Sequence, residues 1–147
     1  ESLRMKLLFI LLLMNFTLFG ANIDKFANEI GFERDYAAAL LKSKKDNKVL
    51  MMVLGADYCP WCRKFEYKTL SDETVKSYLN ENMVALIVDK KYDRDSFPTK
   101  YETNFTPKVF FINPKNENII YETTGYVKKK DFFETLNIVR KIYETSK

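Results

Sequence analysis

The chain has 147 residues, is 46% hydrophobic and 15% aromatic, and carries 24 Lys and Arg against 20 Asp and Glu, a formal charge of +4. That length supports one ordinary core and argues against a second, and the lysines are scattered among acids, which leaves neither a nucleic-acid footprint nor an acidic tail. Histidine is absent, which excludes Ser-His and Cys-His dyads, His metal ligands and a His beside a thiolate.

In chain order, Arg4 and Lys6 precede an apolar run from Leu7 to Phe19, interrupted only by Asn15 and Thr17 and followed by Gly20 and Ala21. A basic start, a short apolar segment and small residues after it are the pattern of a secretory signal peptide. The run falls short of the about 20 residues of a membrane span. With Met5 as the natural start, residues 1–21 are expected to be a cleaved signal peptide and 22–147 a single domain in an oxidising, extracytoplasmic space. A buried N-terminal helix or an uncleaved anchor is the alternative.

Residues 22–32 show only Phe26, Ala27 and Ile30 at the spacing of a short amphipathic turn and are left unassigned. A helix is predicted over Glu33–Lys45, with Asp35 early and Tyr36, Ala37, Leu40 and Leu41 recurring at helical spacing. After the polar turn Lys44–Lys48, Val49–Leu54 is a continuous apolar run, as in a strand buried on both faces. A helix is predicted from Cys59 to about Leu70, Pro60 suiting its first position because the missing N–H has no intrahelical partner there. Phe65 and Leu70 are expected inside, and Arg63, Lys64, Glu66 and Lys68 outside. Ser71 is expected to cap a second helix carrying Val75, Tyr78 and Leu79, before a second buried strand, Met83–Val88, ending at Asp89. Strand, helix, strand implies a right-handed parallel crossover. Residues 90–104 read as a loop leading into a short helix. A hairpin follows, Val109–Ile112 and Ile119–Glu122 about a turn at Asn113–Asn118. The last helix is predicted over Lys128–Tyr143, with Phe132, Leu136, Val139 and Tyr143 on one stripe.

The two cysteines of the chain stand as Cys59-Pro60-Trp61-Cys62 where the first strand gives way to a helix. Unpaired backbone N–H groups and the positive end of the helix dipole favour a thiolate there. The pair can close to a disulfide or open to two thiols with little backbone movement, which suits thiol–disulfide exchange. Other readings are weaker. A structural disulfide across so small a loop constrains the unfolded chain little. A structural zinc site takes four ligands, and Arg63 stands where haem attachment has histidine.

Strand, Cys-X-X-Cys, crossover helix, strand, hairpin and terminal helix together resemble the thioredoxin fold, an α/β architecture with a central mixed sheet flanked by helices. Four matches carry the resemblance: Val49–Leu54; Ala56-Asp57-Tyr58-Cys59-Pro60-Trp61-Cys62, with Tyr58 where the family often has an aromatic residue; Thr106-Pro107 ahead of Val109–Ile112; and Gly125 ahead of the last helix. The chain is most similar to secreted bacterial thioredoxin-like proteins that have a signal peptide and no extra domain. The resemblance implies a periplasmic or secreted thiol–disulfide oxidoreductase with no cofactor. Cys59 would attack and Cys62 resolve, the Cys59 thiol having the lowered pKa. Tyr58, Pro60, Trp61, Thr106 and a cis Pro107 would form the substrate-binding surface. The expected partners are proteins with disulfides or thiols, apocytochromes among them, and a membrane thiol carrier that supplies electrons; no nucleic acid is expected, and a monomer is. The alternatives are a disulfide-forming oxidant and a non-catalytic binding module of the same fold. One position departs from the family: where thioredoxins commonly bury an aspartate that helps deprotonate the second cysteine, this chain has Val53.

Overall fold

The computed structural model of the protein describes residues 2–5 and 22–147. The proposed signal peptide and its cleavage site thus lie almost wholly outside the described residues. Asn22–Ile30 forms α1, an element the sequence pattern left unassigned; Ile23, Phe26 and Ala27 are its buried face. The next helix, α2, is Tyr36–Asp46 and starts three residues later than predicted. Asp35 sets that start, because its extended backbone and its side chain, which accepts from the Ala38 N–H at 2.7 Å, make it the cap. The buried face is Tyr36, Ala39 and Ser43, whereas Ala37 and Leu41, two of the residues noted at helical spacing, are exposed. Asn47 in the left-handed region closes the helix.

Strand β1 (Val49–Gly55) pairs in parallel with β2 (Met83–Asp89) and antiparallel with β3 (Lys108–Ile112), which forms a hairpin with β4 (Ile119–Thr124). The order is β2-β1-β3-β4. Every residue of β1 is buried, as a central strand covered on both faces requires. Because side chains alternate along a strand, Met51 and Val53 enter one core with Phe65, Phe111 and Phe132. Leu50, Met52 and Leu54 enter another with Tyr36, Tyr101 and Phe110. A bridge between Glu33 and Leu86 covers part of the β2 edge.

Between β1 and β2, α3 (Pro60–Phe65) runs into a π-helical turn, Glu66–Leu70, and α4 (Glu73–Asn82) follows. Two expectations are corrected here. Glu66 is buried, 2% exposed, not outside. The α4 cap is Asp72, which accepts from the Thr74 and Val75 N–H groups, while Ser71 turns back to donate its hydroxyl to the Glu66 carbonyl at 2.8 Å. Two short 3-10 turns, Arg94–Ser96 and Thr99–Tyr101, occupy the segment expected to hold a short helix. The final helix, α5 (Lys129–Thr145), buries Phe132, Leu136, Val139 and Tyr143, the predicted stripe.

Candidate active site

The site stands at the C-terminal end of β1. Cys59 and Cys62 are joined as a disulfide with their Cα atoms 5.2 Å apart. Cys59 is the cap of α3: its backbone is extended, and its Sγ accepts the Cys62 N–H at 3.1 Å. Pro60 at the first helical position adds no orphan donor, and of the next N–H groups that of Cys62 goes to Cys59 Sγ and that of Arg63 to the Cys59 carbonyl at 3.1 Å. The two sulfurs differ in access. Cys59 is half-buried, whereas Cys62 is only 2% exposed, on the buried face of α3.

The Thr106–Pro107 bond is cis, as the resemblance implied, and the Thr106 hydroxyl donates to Cys59 Sγ at 3.5 Å across 47 residues of sequence. Pro107 is buried at the head of β3, and its carbonyl accepts from the Gly125 N–H at 2.8 Å. That bond ties the cis loop to the end of β4, with Gly125 at φ 83°, a conformation glycine adopts without penalty. Around the disulfide, Tyr58 and Trp61 are open to solvent, as is Pro60. The five residues assigned to a binding surface thus stand around Cys59, Tyr58 before it, Pro60 and Trp61 in the first turn of α3, and Thr106 and Pro107 in the cis loop, with Pro107 buried and the others at or near the surface.

Sequence reasoning missed three neighbours. Phe105 is 69% exposed immediately before the cis bond; its signal was adjacency to Thr106. Tyr126 packs its ring 6.0 Å from that of Trp61, and the Lys64 ammonium lies over both rings, 5.1 Å and 4.7 Å from their centroids. Nothing local marks a contact between residues so far apart in sequence. The third is Glu66. Arg63, expected outside, turns inward and donates to Glu66 Oε2 at 2.6 Å. Burial pushes the Glu66 carboxyl above its ordinary value, against the opposing pull of Arg63.

A profile of the thioredoxin-like domain matches residues 36–140. The chain belongs to the thioredoxin-like domain family. The chain is 29% identical over 118 residues to the thiol:disulfide interchange protein DsbD of Actinobacillus pleuropneumoniae serotype 5b, a match covering 76% of this chain and 20% of that protein. The chain therefore spans about a fifth of the length of that relative. Among solved structures, a thioredoxin from Thermus thermophilus superposes with a TM-score of 0.65 at 22% identity, over 74% of this chain and 85% of the other. The oxidised C-terminal domain of Neisseria meningitidis DsbD superposes at 0.61 with 20% identity, over 74% of this chain and 99% of that domain. At these identities the superpositions establish the fold.

Proposed function

We propose that the protein is an extracytoplasmic thiol–disulfide oxidoreductase, exported by residues 1–21, which reduces disulfides in other proteins by cycling Cys59 and Cys62 between dithiol and disulfide. The observation that carries this reading is the inequality of the two sulfurs. Cys59 is accessible and its sulfur accepts an N–H of the helix start, the setting that favours a thiolate, while Cys62 is buried one turn on. Cys59 attacks the partner's disulfide to form a mixed disulfide; Cys62 then attacks Cys59 and frees the partner's thiol. The backbone of Thr106, beside Cys59, is assigned as the edge that an extended partner segment pairs with. Tyr58, Pro60, Trp61 and Phe105 give that segment an apolar surface. Similarity to a protein named for thiol:disulfide interchange supports the exchange chemistry, and a membrane thiol carrier is the electron donor assigned to it.

Two measurements test the proposal. In Cys62→Ser the mixed disulfide has no internal thiol to resolve it, so partners are expected to accumulate covalently on Cys59; equal recovery of partners by a variant lacking both cysteines would mean a binding module instead. Equilibration of the domain in glutathione buffers gives the potential of the couple. A reductase is expected toward the thioredoxin end, about −270 mV, and a value toward about −120 mV would reverse the assigned direction. Export is checked separately, by the N-terminal sequence of the protein recovered outside the cytoplasm, expected to begin at Asn22.

A further inference from the structure

The segment that follows β2 is balanced in charge as a sequence, with Asp89, Asp93 and Asp95 among Lys90, Lys91 and Arg94. The fold sorts these charges. Asp89 is 4% exposed, and its Oδ1 accepts the Lys91 and Tyr92 N–H groups, each at 2.8 Å. Asp93 Oδ2 accepts the Asp89 N–H at 2.6 Å and pairs with Arg34 at 2.9 Å. Lys90, Lys91 and Arg94 instead line an open cavity of about 580 Å³ together with Glu102, Thr103 and Asn104. Arg94 is matched there by Glu102 through two contacts, at 3.1 and 3.3 Å. The lysines are not so matched among the described residues: the Lys90 ammonium donates to the Asn104 carbonyl at 3.2 Å, and that of Lys91 lies over the Tyr92 ring, 5.4 Å from its centroid. The cavity wall therefore carries an excess of two positive charges.

This cavity adjoins the exchange site. Thr103 and Asn104 stand three and two residues before Thr106. Lys90 joins the end of β1 to the cis loop, its N–H donating to the Gly55 carbonyl at 2.9 Å and its ammonium to Asn104. Phe97 and Tyr101, buried in the core of Leu50 and Leu54, anchor the segment, so the lysines are presented from a fixed loop. We propose that the cavity is a subsite for acidic side chains of the polypeptide whose disulfide is exchanged: an extended partner segment seated at Thr106 sets an Asp or Glu near its cysteine against Lys90 and Lys91. This rests on the exchange reading above. Charge complementarity selects the occupant, because a carboxylate meets the excess positive charge and a basic segment meets like charge. The cavity is open to water, so the pair forms without the desolvation penalty of a buried ion. The subsite chooses partners and leaves the sulfur chemistry to Cys59 and Cys62.

The test mixes the reduced protein with three peptides that differ only in the residues flanking one cysteine, glutamate, glutamine or lysine on both sides, the cysteine being closed as a disulfide with mercaptoethanol. Each reaction oxidises the Cys59 and Cys62 pair by two electrons and reduces the peptide disulfide by two, and the freed peptide is counted by chromatography. Each rate is divided by that of the same peptide with dithiothreitol, which removes the effect of flanking charge on the disulfide itself. At low salt the glutamate peptide is expected to react about fivefold faster than the glutamine peptide, as one or two exposed ion pairs supply, and the lysine peptide slower still. Salt at about 1 M should erase the difference, the Debye length falling to about 3 Å. Ratios between peptides are read within each variant, so a general loss of activity cancels. The double variant Lys90→Gln, Lys91→Gln should bring the ratio to about one, and Lys90→Glu, Lys91→Glu should invert it, which poor folding does not do. Equal rates for the three peptides with wild type at low salt would overturn the subsite and leave the exchange reading in place. So would a glutamate preference that survives the double glutamine variant, which would move the selectivity to another cation such as Lys64. If neither the peptides nor the small neutral hydroxyethyl disulfide is reduced, the exchange reading fails and the subsite with it.

Discussion

Glu66 shows how one residue is decided by two competing rules. Its spacing from Cys62, Phe65 and Leu70 places it on the buried helical face, and its charge argues for solvent. Spacing won because Arg63 folds in with it at 2.6 Å, so that the pair enters the core as an ion pair. A stability prediction follows from its raised pKa, caused first by burial. The folded state then holds the Glu66 proton more tightly than the unfolded chain. The contribution is full below the ordinary 4.5 and is lost as pH rises from there through the raised native value. Urea midpoints of wild type and Glu66→Gln, measured side by side, should show wild type losing ground to the variant across that window. A difference that does not change with pH would show that Glu66 does not titrate above its unfolded value.

At the scale of elements, helix ends decide boundaries, and they do so through single side chains. Asp35 and Asp72 each accept N–H groups from the first turn of a helix, at 2.7 Å to Ala38 and at 3.1 and 3.3 Å to Thr74 and Val75. Asp72 also pairs with Lys129 at 3.2 Å and so joins the start of α4 to the start of α5. Asp72→Ala is therefore expected to cost about 1 kcal/mol, with range about 0.5–2. The check is a lower urea midpoint at unchanged slope. Ser71→Ala removes only a hydroxyl that donates to the Glu66 carbonyl, which the Ser71 N–H also serves at 3.0 Å, and should cost less than Asp72→Ala. The reverse ranking would restore Ser71 as the cap.

For the whole molecule, α5 is the strap that closes one core over the sheet. Phe132 is fully buried, 5.2 Å from Phe65 of α3 and 6.3 Å from Phe111 of β3, ring to ring. Phe132→Ala should cost about 3–5 kcal/mol, a large part of the about 5–15 kcal/mol that holds a domain together. Ile138→Ala, on the same helix but 46% exposed, should stay within about 0.5 kcal/mol. Thermal melts of the two variants make the comparison, and equal losses would show that α5 does not carry the core.

What the amino-acid order determined by itself was whatever depends on near neighbours. The run Val49–Leu54 has no polar residue to face water, so it had to be an inner strand, and the stripe of Phe132, Leu136, Val139 and Tyr143 had to be a buried helical face. Cys59-Pro60-Trp61-Cys62 likewise carries its own geometry, because four residues at a helix start leave the sulfurs little freedom. What only the tertiary structure decided depends on groups far apart in the chain. The Thr106 hydroxyl meets Cys59 because β3 pairs beside β1, and Tyr126 meets Trp61 because Gly125 turns the chain back over the site. The inward turn of Arg63 and Glu66 belongs to the same class: their order in sequence is compatible with solvent, and the 2.6 Å pair with Glu66 2% exposed exists only in the folded chain. Local pattern sets the periodicity of each element; which polar group ends up without water is set by what the other elements bring against it.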